Sequence, residues 1–214
     1  MTSNENIEMT PVNLRRRFIQ SNGTHPLHTD LTRFNTGGYK GGPAWKQFLW
    51  YPCQYFVFDT ALPIPYSFKR WILRLFGARI GKGVVIKPNV RIKYPWRLSI
   101  GNHSWVGEAV WIDNLLEVHI GNNVALSQGA LLLTGNHDYT DPTFAYRLGK
   151  IVLEDGVWIG ANAVVCPDVV CQSHSVLTVG AVATKSLEPW SINAGNPAKP
   201  IRRRQFKIRQ QSHT

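Results

Sequence analysis

Three segments decide the fold: IGKGVVIKPNVRI (residues 80–92), IGNHSWVGEAVWI (residues 100–112) and IGNNVALSQGALL (residues 120–132). They repeat one pattern every 20 residues, and within each segment an aliphatic residue recurs every six. The period of six resumes after an interruption and runs from Leu153 to Ala183. It fits neither an α-helix nor a lone amphipathic strand. It is typical of a parallel β-helix, an all-β fold in which each triangular coil contains three short strands.

The spacing also predicts how the coils are built. A coil of three hexapeptides needs about 18 residues, so a repeat of 20 implies a two-residue bulge in each coil, here near residues 95–99 and 115–119. The aliphatic residue of each hexapeptide should point inward. A second apolar or small residue recurs four positions after each of these residues.

The rest of the chain divides around this coil. We expect a polar irregular arm over residues 1–40, an aromatic helical cap over 41–79 and the β-helix over 80–190, with an excursion at 133–150. Residues 191–214 form a basic C-terminal segment, which we expect to contain a short helix after the turn at Asn196-Pro197.

The cap segment contains a stretch with helical periodicity. In residues 66–76, Phe68, Ile72, Leu75 and Phe76 fall on one side, with Lys69, Arg70 and Arg74 elsewhere. Two interpretations stay open: the apolar stripe covers the open end of the coil, as terminal repeats require, or it lies on a membrane surface as an amphipathic anchor.

The charge is strongly basic. The 214 residues contain 24 Lys plus Arg against 13 Asp plus Glu, a formal net charge of +11. Such an excess is typical of proteins that bind nucleic acid, anionic membranes or phosphorylated ligands. Six basic residues lie in the last 16 positions, where no acidic residue occurs. Apart from Phe206 this tail lacks interleaved stacking aromatics, so we do not expect nucleic acid as the partner.

Several other classes are excluded by simple features. The longest apolar run, residues 48–58, is far shorter than the roughly 20 residues of a spanning helix. The N-terminus has no basic cap followed by an apolar stretch, so we expect a cytoplasmic protein, with peripheral membrane contact left open. Cys53, Cys166 and Cys171 have no CxxC spacing, which argues against a disulfide scaffold and a structural zinc site.

The excursion and the two segments that follow it carry a family resemblance. They contain TGNHDYTDP (residues 134–142), GVWIG (156–160) and AGNPAK (194–199). Together with the hexapeptides they resemble the hexapeptide-repeat acyltransferases. The chain is most similar to the sugar O-acetyltransferases of the maltose, galactoside and nodulation group, and within it to the WcaF-like branch of colanic acid biosynthesis. The resemblance covers about residues 41–204.

This resemblance implies a left-handed parallel β-helix, a homotrimer and active sites between subunits. It also implies acetyl-CoA as co-substrate and a sugar hydroxyl as acceptor. His137 matches the family's catalytic loop histidine and would be the general base, a role suited to this side chain. The backbone N–H of Ala161 matches the position that holds the thioester oxygen and would stabilise the oxyanion.

The resemblance assigns further residues to the coenzyme. Trp158 would form a wall of the acyl or pantetheine channel, and the backbone of Val179 and Gly180 would line the pantetheine. Lys185 and Arg202 match positions near the phosphates, and Lys199 is a third candidate.

Two questions stay open at this point. If the 20-residue register continued, Glu117 would lie one strand spacing from His137 and could orient it; Asp138 is the competing partner. For the acceptor, Asn114 matches a sugar-binding aspartate of the family, but Asp113 beside it makes the register uncertain. Asp138 is a third substrate-binding candidate.

A zinc site of the γ-carbonic anhydrase kind is not expected, so we predict no metal. Such a site needs two of its three histidines a few residues apart, and His103, His119 and His174 do not satisfy this.

The predicted function is therefore an acetyl-CoA-dependent O-acetyltransferase acting on a sugar or saccharide intermediate of surface-polysaccharide synthesis. The alternatives are an acetyltransferase for another acceptor (an amino sugar, serine or an antibiotic) and a β-helix scaffold without catalytic activity.

Overall fold

The computed structural model describes residues 28–207, and most of them form a parallel β-helix with three flat sheets. Sheet 1 contains β1 (Arg79–Ile80), β4 (Leu98–Ile100), β7 (Val118–Ile120), β12 (Ile151–Leu153) and β15 (Val170–Cys171). Sheet 2 contains β2 (Val85–Ile86), β5 (Trp105–Val106), β8 (Ala125–Leu126), β13 (Trp158–Ile159), β16 (Val176–Leu177), β18 (Ser191–Ala194) and β19 (Lys199–Arg203). Sheet 3 contains β3 (Arg91–Ile92), β6 (Trp111–Asp113), β9 (Leu131–Leu133), β14 (Val164–Val165) and β17 (Val182–Ala183). The predicted β-helix is confirmed.

The strand register follows the sequence repeat. Ile80 pairs with Ile100, Ile100 with Ile120, and Ile120 with Leu153 across the excursion. The predicted inward positions are buried and fill the inside of the coil. The buried residues that recur every six positions are Ile80, Ile86, Ile92, Ile100, Val106, Ile112, Ile120, Leu126, Leu132, Leu153, Ile159, Val165, Cys171, Leu177 and Ala183. Aliphatic side chains stacked in this way supply the hydrophobic stabilisation of the fold.

The coil turns at three corners, which position all later features. Corner 1 joins sheet 1 to sheet 2, corner 2 joins sheet 2 to sheet 3, and corner 3 joins sheet 3 to the next strand of sheet 1. Successive coils approach each other closely at the corners. A Cβ atom on Gly160, at corner 2, would lie 2.6 Å from the backbone nitrogen of Val179 on the next coil. Only glycine permits that stacking distance.

A ladder of side chains connects the coils at corner 1. The carboxamide of Asn102 accepts a hydrogen bond from Lys82 N, and that of Asn122 accepts one from Asn102 N, each at 2.8 Å. The ladder ends at Asp155, whose Oδ1 accepts from Asn122 N at 2.7 Å. The hydrogen bonds that Asp155 accepts, first from the backbone of Asn122 and then from its side chain, hold the pKa of this carboxyl below its usual value of 3.8.

This pKa shift predicts a pH-dependent contribution to stability. The charged Asp155 is favoured in the folded state, so its contribution is present above pH 3.8 and is lost as pH falls through the lowered pKa. At neutral pH, Asp155→Ala is expected to lower the melting temperature by about 2–4 °C, since one exposed hydrogen-bond acceptor is lost. The difference from the wild type should shrink towards zero in strong acid. Asp155→Asn, which keeps an acceptor but does not titrate, is the control; a difference independent of pH would contradict the ladder's dependence on charge.

The helical cap covers the first coil. It comprises α1 (Ala44–Cys53), a single π-helical turn (Gln54–Phe58) and α2 (Tyr66–Leu75). The N–H groups of the first coil bond to the second coil, as in Gly81 N to Ile100 O at 2.8 Å, so its carbonyls point towards the open end. Side chains of the cap donate to these carbonyls: Arg74 to Ile80 O, Arg70 to Val84 O, Lys69 to Ile86 O and Lys87 O, Gln54 to Val90 O and Trp50 to Ile92 O.

The orientation of α2 corrects the predicted apolar stripe. Ile72 and Phe76 are buried as expected, but Phe68 and Leu75 are exposed, whereas Lys69 is only 1% exposed. The reason is the row of carbonyls at the coil end, because buried carbonyls require donors. Burial lowers the pKa of Lys69. No helix in the described part of the chain is both long and apolar enough to cross a bilayer.

The C-terminal segment also differs from its prediction. The short helix expected after Pro197 is wrong for the residues described, up to 207: residues 199–203 form β19, which pairs antiparallel with β18. The segment turns back at residues 195–198, where Ala198 N donates to Val182 O at 2.8 Å. The last edge of sheet 2 would otherwise be unpaired, and β19 satisfies it.

Candidate active site

His137 lies on a hairpin that leaves the coil at corner 3. The hairpin consists of β10 (Gly135–His137) and β11 (Tyr146–Leu148), and His137 pairs with Tyr146. Its base is closed by a hydrogen bond from Gly149 N to Thr134 O of 2.9 Å. The excursion is therefore an ordered β-hairpin with His137 towards its tip.

One hydrogen bond sets the protonation of the His137 ring. Nδ1 lies 2.7 Å from the carbonyl oxygen of Phe144. A carbonyl only accepts, so Nδ1 carries the proton, and a neutral ring then has its lone pair on Nε2. Phe144 has φ +59°, an unfavourable backbone conformation for a bulky residue, and this turn directs its carbonyl at the ring. Among the described residues nothing hydrogen-bonds to Nε2.

Aromatic side chains surround the ring. Phe144 stacks on His137 with centroids 4.4 Å apart, Tyr146 lies at 5.1 Å and Phe34 at 5.7 Å. Phe34 comes from the N-terminal arm, which is joined to the hairpin by a hydrogen bond from Asp30 N to Pro142 O. The sequence analysis missed these three residues. The pairing of β10 with β11, which places Tyr146 opposite His137, has no strong signal in the sequence.

The predicted register between Glu117 and His137 is wrong. Val118 pairs with Ile151, so the next-coil neighbour of Glu117 is Lys150, whose Nζ lies 3.4 Å from Glu117 Oε2. The hairpin is an insertion between two regular coils and does not continue their register. Glu117 is therefore part of a surface ion pair, and the Phe144 carbonyl orients His137 in its place.

Asp138 is bound within its own turn. Its Oδ1 accepts from the backbone N–H of Thr140 at 2.9 Å and from the Thr140 hydroxyl at 2.6 Å. The Thr140 hydroxyl and then its N–H lower the pKa of Asp138. Asp138 thus shapes the hairpin turn, and its contacts do not include the His137 ring.

The two acceptor candidates have different environments. Asn114 is fully buried, and its amide accepts from Tyr94 N and donates to Tyr94 O, so it is a structural residue and its predicted contact with an acceptor is wrong. Asp113 is also buried. Its Oδ1 forms an ion pair with Lys93 Nζ at 3.0 Å, but the geometry is not that of a hydrogen bond. Asp113 Oδ1 therefore accepts no hydrogen bond from the described residues. Its carbonyl accepts from Thr134 N at the base of the hairpin.

The coenzyme candidates around Ala161 lie at corner 2. The carbonyl of Ala161 accepts from Gly180 N at 2.9 Å, whereas no described residue accepts the Ala161 N–H. Val179 is 71% exposed, and Gly180 has φ +67° with open space where a Cβ would project. Trp158 is half-exposed on sheet 2 and held by a hydrogen bond from Nε1 to Ser127 Oγ of 2.9 Å. This corner therefore presents a free N–H beside exposed, uncharged residues.

The basic candidates lie at the same end of the coil. Lys185 follows β17 by two residues, and the bond from Ala198 N to Val182 O brings the start of β19 beside β17. Lys199 and Arg202, both on β19, are exposed. None of the ion pairs within residues 28–207 involves these three cations. They are uncompensated cations of the last coil and of the strand that follows it.

One chain does not bring His137 and Ala161 together. His137 leaves the coil at corner 3, and its ring contacts come from Phe34, Phe144 and Tyr146, whereas Ala161 lies at corner 2 on the other side of sheet 3. No ring contact of His137 within the described part comes from residues 158–202.

The remaining histidines are separated. His119 Nδ1 lies 2.7 Å from Ser99 Oγ, and His174 packs on Trp190 with centroids 4.3 Å apart. Over residues 28–207, no three His, Cys, Asp or Glu side chains are grouped as a metal site requires.

Comparison with individual known proteins places the chain in a family, although no protein-family model matches it. It is 38% identical over 176 residues to the putative colanic acid biosynthesis acetyltransferase WcaF of Escherichia coli K12, which covers 82% of this chain and 97% of the relative. A maltose O-acetyltransferase from Clostridium difficile 630 has a similar structure, with a TM-score of 0.71, 21% identity and coverage of 85% of this chain and 100% of that one. A hexapeptide-repeat acetyltransferase from Vibrio cholerae, complexed with acetyl coenzyme A, also has a TM-score of 0.71, with 18% identity and coverage of 82% and 97%.

The repeat, the histidine hairpin and the similarity to WcaF over most of both chains agree: the chain belongs to the hexapeptide-repeat acetyltransferases, in the WcaF group, with their left-handed parallel β-helix fold.

Proposed function

We propose that the protein transfers the acetyl group of acetyl-CoA to a hydroxyl of a sugar or saccharide intermediate of surface-polysaccharide synthesis, in the cytoplasm. The observation that carries the proposal is the His137 ring, whose Nδ1 proton is bound by Phe144 O and whose Nε2 is left as a base. The WcaF similarity supports the acetyl donor and the polysaccharide context.

In the proposed reaction His137 handles one proton. Nε2 takes the proton of the acceptor hydroxyl as that oxygen attacks the thioester carbonyl. The Ala161 N–H donates to the oxygen on which negative charge develops. The carbon–sulfur bond then breaks, and the proton on Nε2 passes to the departing thiolate, so that the acetyl ester and the free thiol are the products. No covalent enzyme intermediate is needed.

The end of the coil suits the shape and charge of acetyl-CoA. The exposed residues Val179 and Gly180 would line the uncharged pantetheine, with Trp158 as a wall of its channel. Lys185, Lys199 and Arg202, together called the patch, would bind the phosphates, which require cationic donors. We propose Asp113 for the acceptor, since it adjoins the hairpin and its side chain, paired with Lys93, stays 11% exposed, whereas Asn114 is closed off.

The separation of His137 and Ala161 supports a site shared between subunits. A complete site needs both groups, and they lie at different corners of one coil. We therefore propose a homotrimer in which the hairpin of one subunit meets corner 2 of the next.

Two measurements on the full chain test the proposal. Calorimetry is expected to show that the wild type binds acetyl-CoA and that Lys185→Ala lowers this affinity. If Lys185 binds the 3′-phosphate, the same substitution should lower the affinity for 3′-dephospho-CoA much less. Incubation with acetyl-CoA and a panel of nucleotide sugars and oligosaccharides should yield a product heavier by about 42 Da, the acetyl increment. Lys207→Ala, outside the patch, is the control. No binding of acetyl-CoA would favour a scaffold, and acetylation confined to amines would favour the alternative acceptors.

A further inference from the structure

The cap presents a broad aromatic surface to solvent. We call it the cap face; its members protrude from α1, the π-helical turn, the following loop and α2. They are Trp45, Phe48, Leu49, Tyr51, Tyr55, Phe56, Leu62, Tyr66, Phe68, Trp71 and Leu75. Phe48 is 75% exposed and Trp71 is 55% exposed. A concentration of exposed apolar side chains marks a site of interaction with a protein or a membrane.

The orientation of the cap explains why its outer face is apolar. Lys69, Arg70 and Arg74 point inward and donate to the carbonyls of the first coil. The helix is amphipathic, so directing its cations to the coil turns Phe68 and Trp71 outward. Unlike most surface helices, α2 directs its cations as well as Ile72 and Leu73 to its own domain, and it leaves large apolar side chains in solvent.

Most charges around the cap face are positive. Between Asp30 and Glu108 the sequence has one carboxylate, Asp59, against 12 lysines and arginines, and Glu108 itself lines the same groove as Tyr66 and Lys87. Asp59 is itself paired with Arg91 at 3.0 Å. The first coil adds exposed Arg79, Lys82 and Lys87, and Lys87 Nζ lies 5.7 Å from the Tyr66 ring centre. An anionic surface therefore complements the rim of the cap face.

We propose that the cap face binds the surface of an anionic phospholipid bilayer. Trp and Tyr, which make up five of its members, combine an apolar ring with a polar group and favour the membrane–water interface. The short helices would lie in the interface plane, and the cations would meet the headgroups. A second copy of the chain is the less suitable partner, since it would bring an equally positive rim against the first. This inference does not rest on the proposed function, because membrane binding requires no acetyl transfer.

Vesicle co-sedimentation of the full chain tests the proposal. The wild type should bind vesicles of phosphatidylcholine with phosphatidylglycerol at low salt, and bind less to phosphatidylcholine alone or at high salt, where the charges are screened. The double variant Phe48→Glu/Trp71→Glu should reduce binding to the anionic vesicles by about tenfold or more. Both side chains are exposed, so the variant should keep the wild-type melting temperature.

The control is Ile201→Glu, which places one carboxylate, against two in the double variant, on an exposed apolar residue of β19, at the far end of the coil. Its vesicle binding should equal that of the wild type. The proposal would be overturned if the double variant bound the anionic vesicles as well as the wild type does. It would also be overturned if the wild type did not bind them at low salt. A double variant that keeps its vesicle binding but loses its oligomeric state in native mass spectrometry would overturn it too, because the cap face would then be a contact between copies.

Discussion

Replacing His137 by alanine is expected to lower kcat for acetyl transfer by about 100- to 10,000-fold, the usual contribution of a positioned general base. The affinity for acetyl-CoA should change little, because no coenzyme candidate contacts the ring. A loss in kcat without a loss in binding is the signature of an interaction made only in the transition state. Steady-state kinetics together with calorimetry on the same preparation measure both quantities.

His119→Ala is the matched control for this experiment. Like His137, His119 has one hydrogen bond to its ring, to Ser99, but it lies on the coil and outside the hairpin. It should keep wild-type kinetics. Thioester turnover that survives His137→Ala would refute the assignment of the base.

The variant Ala161→Pro is expected to lower kcat by about 100- to 1,000-fold, as the loss of one oxyanion donor does. Proline removes the N–H and little else. The same corner position on the first coil is already occupied by Pro88, since Ala109 N donates to Pro88 O in the way that Gly180 N donates to Ala161 O. The fold therefore tolerates proline at this turn, and melting curves should show it.

Gln128→Pro provides the control for that substitution. Gln128 occupies the same corner one coil earlier, and its carbonyl accepts from Asn162 N. Activity should be retained in Gln128→Pro, and an equal loss in both variants would mean that proline acts through the backbone. Mixing His137→Ala chains with Ala161→Pro chains then tests the shared site. At some interfaces, His137 from an Ala161→Pro chain would meet the Ala161 N–H of a His137→Ala chain, so partial activity should return. No recovery after verified subunit exchange would place both groups in one subunit.

The coil could be predicted from the sequence because its rule is local and repetitive. Each inward position, such as Ile86 or Leu177, is set by one buried side chain every six residues, and the buried core depends on nothing further along the chain. His137 was predicted as the candidate base through family resemblance. Its hydrogen-bond partner, the carbonyl of Phe144, could not be predicted, because an inserted hairpin has its own strand pairing. Extending the 20-residue register of the coil through the hairpin led to Glu117 instead.

The cap and the C-terminus show a second limit. Hydrophobic periodicity predicted the helix at residues 66–76 but not which face turns inward, because that depends on the backbone groups left unpaired at the coil end. Unpaired backbone groups of β18, at the opposite end of the coil, made a strand of residues 199–203, where the sequence favoured a helix after the turn. In both places the final edge of a sheet decided the structure, and an edge has no periodic signal.

The cap has one further consequence, for assembly. A bare coil end is a template on which the complementary end of another molecule could stack, and repetition of that contact would produce a fibre. Five donor side chains of the cap and the helices that hold them occupy this template: those of Trp50, Gln54, Lys69, Arg70 and Arg74. The cap thus acts as a terminator of growth, and keeps a potentially endless architecture at a finite length.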